Sequence, residues 1–133
     1  MNKLIVPYHL ILPACICIVA LLVILFFRKK LFTQGLRKRI WISVTIFFIV
    51  YLYVVGSAGV RDMYYQWDLY SFDLNKNGIF DSEEITSKQE LAMKRLISDV
   101  GRDYSYITGL IIALVGAAIV FVFTSLSPKS PKP

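Results

Sequence analysis

The chain is 133 residues long, 56% hydrophobic and 18% charged, with a mean hydropathy of +0.60. A soluble domain of this length buries only part of its surface and could not hide so much apolar side chain. The formal charge of +6 is unevenly spread: residues 61–106 hold all nine acids and six bases, and the remainder holds nine bases and no acid. That distribution excludes an ordinary soluble enzyme and a disordered basic tail, and describes a membrane protein with one mixed-charge insert.

The first apolar run, Leu4 to Phe27, has 24 residues and no charge. About 20 apolar residues at ~1.5 Å rise cross a ~30 Å hydrocarbon core, and in lipid the backbone must bond to itself, so a helix is expected. Cys15 and Cys17 lie two positions apart on this helix and face different ways, as small apolar fillers rather than a disulfide. Leu12-Pro13-Ala14-Cys15 resembles a lipoprotein cleavage box, but the apolar run continues for twelve residues beyond Cys15 and the basic flank is on the wrong side for a signal. His9 is the only histidine and reads as an interfacial polar residue. With no nucleophile-plus-base pattern beside it, no catalytic activity is expected.

The connection that follows carries Arg28, Lys29, Lys30, Arg37, Lys38 and Arg39 and no acid. By the positive-inside rule it is cytoplasmic, which places the N-terminus and residues 61–106 outside. Nucleic-acid binding is not expected on so short a loop; contact with lipid headgroups is. The second run, Ile40 to Val60, is a 21-residue span and the third, Ile107 to Leu126, a 20-residue span, both uncharged. The tail, residues 127–133, is rich in proline and lysine and is expected to be disordered and cytoplasmic. Tyr64, Tyr65, Trp67, Tyr104 and Tyr106 suit an outer aromatic belt, and Trp41 and Phe32 an inner one. The expected fold is an all-α membrane protein: three transmembrane helices, two of them in residues 1–60, with an extracytoplasmic helical insert at 61–106 between spans two and three. The short three-span form suggests a bacterial inner membrane.

Residues 73–84 read Asp-Leu-Asn-Lys-Asn-Gly-Ile-Phe-Asp-Ser-Glu-Glu. Oxygen-bearing side chains alternate through Asp73, Asn75 and Asn77, Gly78 sits at the sixth position, Asp81 at the ninth and Glu84 at the twelfth. A hard divalent cation needs six to eight oxygens, and a sharp turn with φ > 0 costs glycine little. The loop resembles the EF-hand calcium site. With the entering helix, the resemblance covers about a fifth of the chain. It implies Ca2+ held by Asp73, Asn75, Asn77, the Ile79 carbonyl, Asp81 and Glu84, with Phe80 packed beneath and Mg2+ as competitor. Three charged ligands and no second loop imply weak affinity, roughly 10⁻⁴–10⁻³ M.

Phe72, Trp67 and Tyr64 are expected on one face of the entering helix, interrupted by Asp68. Ser87 and Glu90 have capping-box spacing, so a second helix is expected from about Ser87 to Val100, ending at Gly101, with Met93, Leu96, Ile97 and Val100 as its apolar stripe. The second span is expected to continue unbroken from Ile40 to Phe72, which would set Asp73 ~18 Å beyond Val60 at ~1.5 Å per residue. Calcium would then fix the angle between this extension and the following helix, and bias packing inside the membrane. Gly56-Ser57-Ala58-Gly59 reads as a close-packing site rather than a hinge, and Gly109, Ala113 and Ala117, with Gly116, as a second small-residue face. The function expected is a calcium-binding integral membrane protein, sensing or stabilised by external Ca2+, acting through a membrane partner or self-association. The alternative is an immunity or accessory protein against a membrane-active toxin, with Ca2+ purely structural.

Overall fold

A computed structural model describes residues 5–81 and 84–126. The tail expected to be disordered, residues 127–133, lies outside the described residues, as do Leu4 and Glu83. Within them the chain forms six helices and no strand: α1 Tyr8–Phe26, α2 Arg28–Leu31, α3 Leu36–Tyr70, α4 Ser87–Ser98, α5 Val100–Asp103 and α6 Ser105–Leu126. Three of these, α1, α3 and α6, are long and apolar enough to cross a membrane. Their most apolar stretches have only 17%, 11% and 11% of residues buried inside the chain. Leu12, Ile16, Val19, Leu22, Ile111 and Val115 face outward. Apolar surface on that scale is not left to water, and a lipid environment is the physical remedy.

The central element is α3, with α6 on one side and α1 on the other; α1 and α6 touch little. Its 35 residues reach about 52 Å at ~1.5 Å per residue, well past a ~30 Å hydrocarbon core. The sequence boundary at residue 60 therefore falls inside a continuous helix, which ends at Tyr70 rather than Phe72. The small residues at 56–59 do not interrupt it. Ala58 and Gly59 are buried, and Gly59 meets the Leu10 side chain of α1. Leu10, Val55 and Ala58 form the fully buried core, flanked by Ala14, Tyr51 and Tyr106.

The first span starts later than its apolar run. Pro7 caps α1, and Leu10 and Ile11 donate to its carbonyl at 2.9 and 3.0 Å. Proline disfavours helix in the residue before it, so the chain N-terminal to Pro7 takes another path. Pro13 lies within α1. Its missing N–H leaves one helical bond unmade, a defect that membrane helices tolerate. Hydroxyls inside the spans return to their own helices: Ser43 to the Arg39 carbonyl, Thr45 to Trp41 and Thr124 to Val120. Each polar group is thereby satisfied without water.

The small residues of α6 face α3. Gly109 and Ala113 are buried, Ala117 is half-buried, and Gly116 opens onto empty space. A Cβ on Gly109 would stand 2.9 Å from Val54 Cγ1, so glycine permits this approach. The Tyr51 hydroxyl donates to the Tyr106 carbonyl at 3.1 Å, a second tie between the same helices.

The helix after the loop is set one residue earlier than its capping box implies. Thr86 caps α4, accepting from the Gln89 N–H at 3.2 Å, and Ser87 is the first helical residue. The inward stripe is Gln89, Ala92, Met93 and Leu96, while Ile97 and Val100 point outward, 67% and 58% exposed. The helix also stops at Ser98, before Gly101, because the Asp99 carboxylate turns to cap α5 through the Arg102 N–H at 3.1 Å. Short acidic side chains compete in this way for backbone donors and end helices.

Candidate functional site

The loop at residues 73–81 begins where α3 ends. Backbone bonds from Phe72 to Leu69 and from Asp73 to Tyr70, each 3.2 Å, finish the helix and bury Asp73. The C-terminal end of a helix carries partial negative charge, so this is a place that attracts cations. Asp73 Oδ2 accepts the Gly78 N–H at 2.9 Å, across the turn that Gly78 makes at φ +83°. Lys76 also takes positive φ, at +59°. Asn75 Oδ1 accepts from the Asn77 N–H at 2.9 Å, and Asn77 Oδ1 from the Ile79 N–H at 2.7 Å. These are local side-chain turns of the kind by which Asn and Asp curl a chain, and both asparagines are exposed.

Glu84 closes the loop. Buried at 6% exposure, its Oε1 accepts from the Leu74 and Asn75 N–H groups at 2.8 and 3.1 Å, and its Oε2 from the Asp81 N–H at 3.3 Å. Asp81 Oδ2 accepts from Asn75 Nδ2 at 3.0 Å. The loop is closed mainly by bonds from side-chain oxygens to main-chain N–H groups; among the described residues Asn75 and Asp81 are the one pair of expected ligands joined side chain to side chain, and the Ile79 side chain points outward at 67% exposure. Phe80 is half-buried and shares a hollow with Ile85, Gln89 and Met93.

The donor set is that of a hard cation: carboxylates, amide oxygens and main-chain carbonyls, with no nitrogen or sulfur. Asp73 Oδ1 is buried and has no hydrogen-bond partner among the described residues, which is the kind of atom a cation would satisfy. Among the described residues, however, no three His, Cys, Asp or Glu side chains are gathered closely enough to hold a metal ion. Here the Glu84 carboxylate binds main-chain N–H groups instead. The residues fit calcium in chemistry and order, and Glu84 would have to exchange those N–H groups for the ion.

Below the loop lies a buried polar cluster. The inward face of the α3 extension is Asp62, Gln66 and Leu69; Tyr64 and Trp67, expected on one face, are 56% and 62% exposed, with ring centroids 6.2 Å apart. Asp62 faces Arg102 of α5, with Arg102 Nε 3.1 Å from Asp62 Oδ1. The two side chains are 10% and 3% exposed. This contact is an ion pair without aligned hydrogen-bond geometry, and Arg102 Nε and Nη1 have no hydrogen-bond partner among the described residues. Arg102 Nη2 donates to the Leu96 carbonyl at 2.6 Å, and the guanidinium lies 5.5 Å from the centre of the Tyr65 ring. Gln66 Nε2 donates to Asp62 Oδ2 at 2.7 Å. The Gln66 amide also grips the main chain of Ile5, accepting its N–H and donating to its carbonyl, both at 2.8 Å. This clamp holds the segment before Pro7 out of helix α1. His9 packs edge-on to Tyr106 at 6.0 Å, tying α1 to α6 nearby.

The cluster joins the first residues of the described chain, the α3 extension and the segment that returns to α6. Sequence reasoning missed it. The available signal was the four-residue spacing of Asp62 and Gln66, with an arginine just ahead of the third span. No family model, curated protein or solved structure matches this chain.

Proposed function

We propose that this is a calcium-binding, multi-pass membrane protein in which a divalent ion at residues 73–84 sets the packing of the spans. The observation that carries the reading is the buried Asp73 Oδ1 at the end of α3, without a partner among the described residues, within a loop whose oxygen-bearing residues follow the cation-site register in sequence. A buried acceptor without a partner costs about 1–3 kcal/mol, and more when charged, so an ion there has a favourable contact waiting. Asn75, Asn77, the Ile79 carbonyl, Asp81 and Glu84 would complete the shell. Moving Glu84 from main-chain N–H groups to the ion offsets part of the gain, which suits weak binding, roughly 10⁻⁴–10⁻³ M. Mg2+ competes but prefers a rigid octahedral shell.

The role is binding rather than catalysis. The ion would tighten the α3–α4 junction, α4 would hold α5, and Arg102 would press on Asp62 of α3. Calcium in this way stabilises one arrangement of α3 and α6, which a membrane partner or a second copy would read. Basic residues at 28–39 support a cytoplasmic connection, with the loop on the opposite face, where calcium reaches millimolar levels.

Titration of the full chain in detergent tests this. Added Ca2+ should change Trp67 fluorescence and release or absorb calorimetric heat, both lost in Asp73→Ala and Glu84→Ala. A flat titration in the wild-type chain, or heat unchanged in both variants, would reject it.

A further inference from the structure

The opposite end of the molecule carries a second, unrelated site. The last turns of α1 and the first turns of α3 flank an open groove of about 690 Å³, within the ~300–1,000 Å³ range of ligand sites. Leu21, Ile24 and Leu25 form one wall, Ile49 and Thr45 the other, and Phe32 closes the end. The groove exists because the chain does not run straight from span to span. After Phe26 it turns into α2, and Gly35, at φ +75°, turns it again into α3, so that Phe32 returns against the helices. The Thr45 hydroxyl is engaged with the Trp41 carbonyl at 2.7 Å, which leaves the walls effectively apolar.

Arg28 and Lys29 stand at the mouth. Both are exposed, and neither makes an ion pair among the described residues. No acid lies between residues 1 and 61 to neutralise them. An apolar slot along two spans, capped by two free cations at the end of a span, is complementary to one kind of molecule: an acyl chain below and an anionic headgroup above. We infer that this groove is a binding site for an anionic phospholipid, its acyl chain between α1 and α3 and its phosphate on Arg28 and Lys29. The guanidinium pairs with phosphate oxygens through two N–H groups, and lysine adds a point charge. Basic residues at a membrane surface attract anionic lipid in general; the groove adds a wall for the chain, and so a defined place.

Native mass spectrometry of the full chain, with phosphatidylglycerol and phosphatidylcholine of the same acyl chains in equal amounts, tests the site. Phosphatidylglycerol should be retained over phosphatidylcholine by roughly thirtyfold, as two headgroup cations would give. The R28Q/K29Q pair should erase that preference, and R37Q/K38Q, in the same connection but outside the groove, should keep it. Ile49→Trp, which fills the groove and leaves every charge, should also lose the lipid while circular dichroism shows unchanged helix. Should R28Q/K29Q fail to fold, Ile49→Trp still decides. Equal retention of the two lipids would overturn the site, as would equal loss in R37Q/K38Q, full selectivity in Ile49→Trp or displacement by inorganic phosphate. A lipid-free dimer that excludes phosphatidylglycerol would place a second copy in the groove instead.

Discussion

Asp62 and Arg102 are forty positions apart in the chain and 3.1 Å apart in space, both shielded from water. A buried ion pair is weak evidence for stability as a whole, but removing one partner strands a charge, at about 3–5 kcal/mol. Arg102→Leu should therefore lower the unfolding free energy in mixed micelles by about that amount. The D62L/R102L pair should be less destabilised than either single variant, because neither charge is then left alone. Additive losses would show that the two side chains act independently. At this scale the sequence was only partly legible. The oxygen donors of 73–84 are readable as a pattern because such a loop is local, with its residues at fixed offsets; their placement is not, since Glu84 turns to main-chain N–H groups and no three acids converge among the described residues. Asp62 is not readable in that way, since an acid one turn past an apolar run looks like a solvated residue until its partner is known.

At the scale of elements, the contact between α3 and α6 depends on one missing methyl group. Gly109→Ala gains about 1 kcal/mol of helix propensity but overpacks Val54 and Tyr51, at about 1–3 kcal/mol. The net expectation is a loss of about 1 kcal/mol, measured by reversible unfolding in detergent. Gly116→Ala, which meets nothing within 4 Å, should be neutral or stabilising. Equal effects at the two positions would mean that this face does not set the helix approach. Element existence was well forecast by apolar runs, but phase and ends were not. The stripe of α4 is displaced from Met93, Leu96, Ile97 and Val100 to Gln89, Ala92, Met93 and Leu96. Periodicity permits either stripe; the Thr86 cap and the early stop at Asp99 select one. Pro7 and the Gln66 clamp likewise shorten α1 against its apolar run.

At the scale of the whole molecule, α3 organises everything: it is long and apolar enough to cross a bilayer, carries the polar cluster on its extension and ends at the loop that begins with Asp73. The proposed sidedness is tested here. In a chain with Cys15→Ala and Cys17→Ala, a cysteine placed by Ser71→Cys should react with a membrane-impermeant maleimide in intact cells. One placed by Lys38→Cys should react only after the membrane is opened. The reverse pattern would invert the topology and move the loop to the low-calcium side, against the proposed function.

The sequence alone determined that there are three apolar helices, that charge is segregated between a basic connection and an acidic insert, and where a cation loop is to be sought. Those properties are local: they rest on runs of about 20 residues, on charge counts and on spacings within a dozen positions. Tertiary structure decided which helix is central, which face of each is inward, and that the loop stands above an Asp62–Gln66–Arg102 cluster tied to Ile5. It also decided that α1 and α3 leave an apolar groove lined at one end by Arg28 and Lys29. The reason is the same in each case. Burial and pairing are properties of two surfaces at once, and residues distant in the chain meet only when the helices pack.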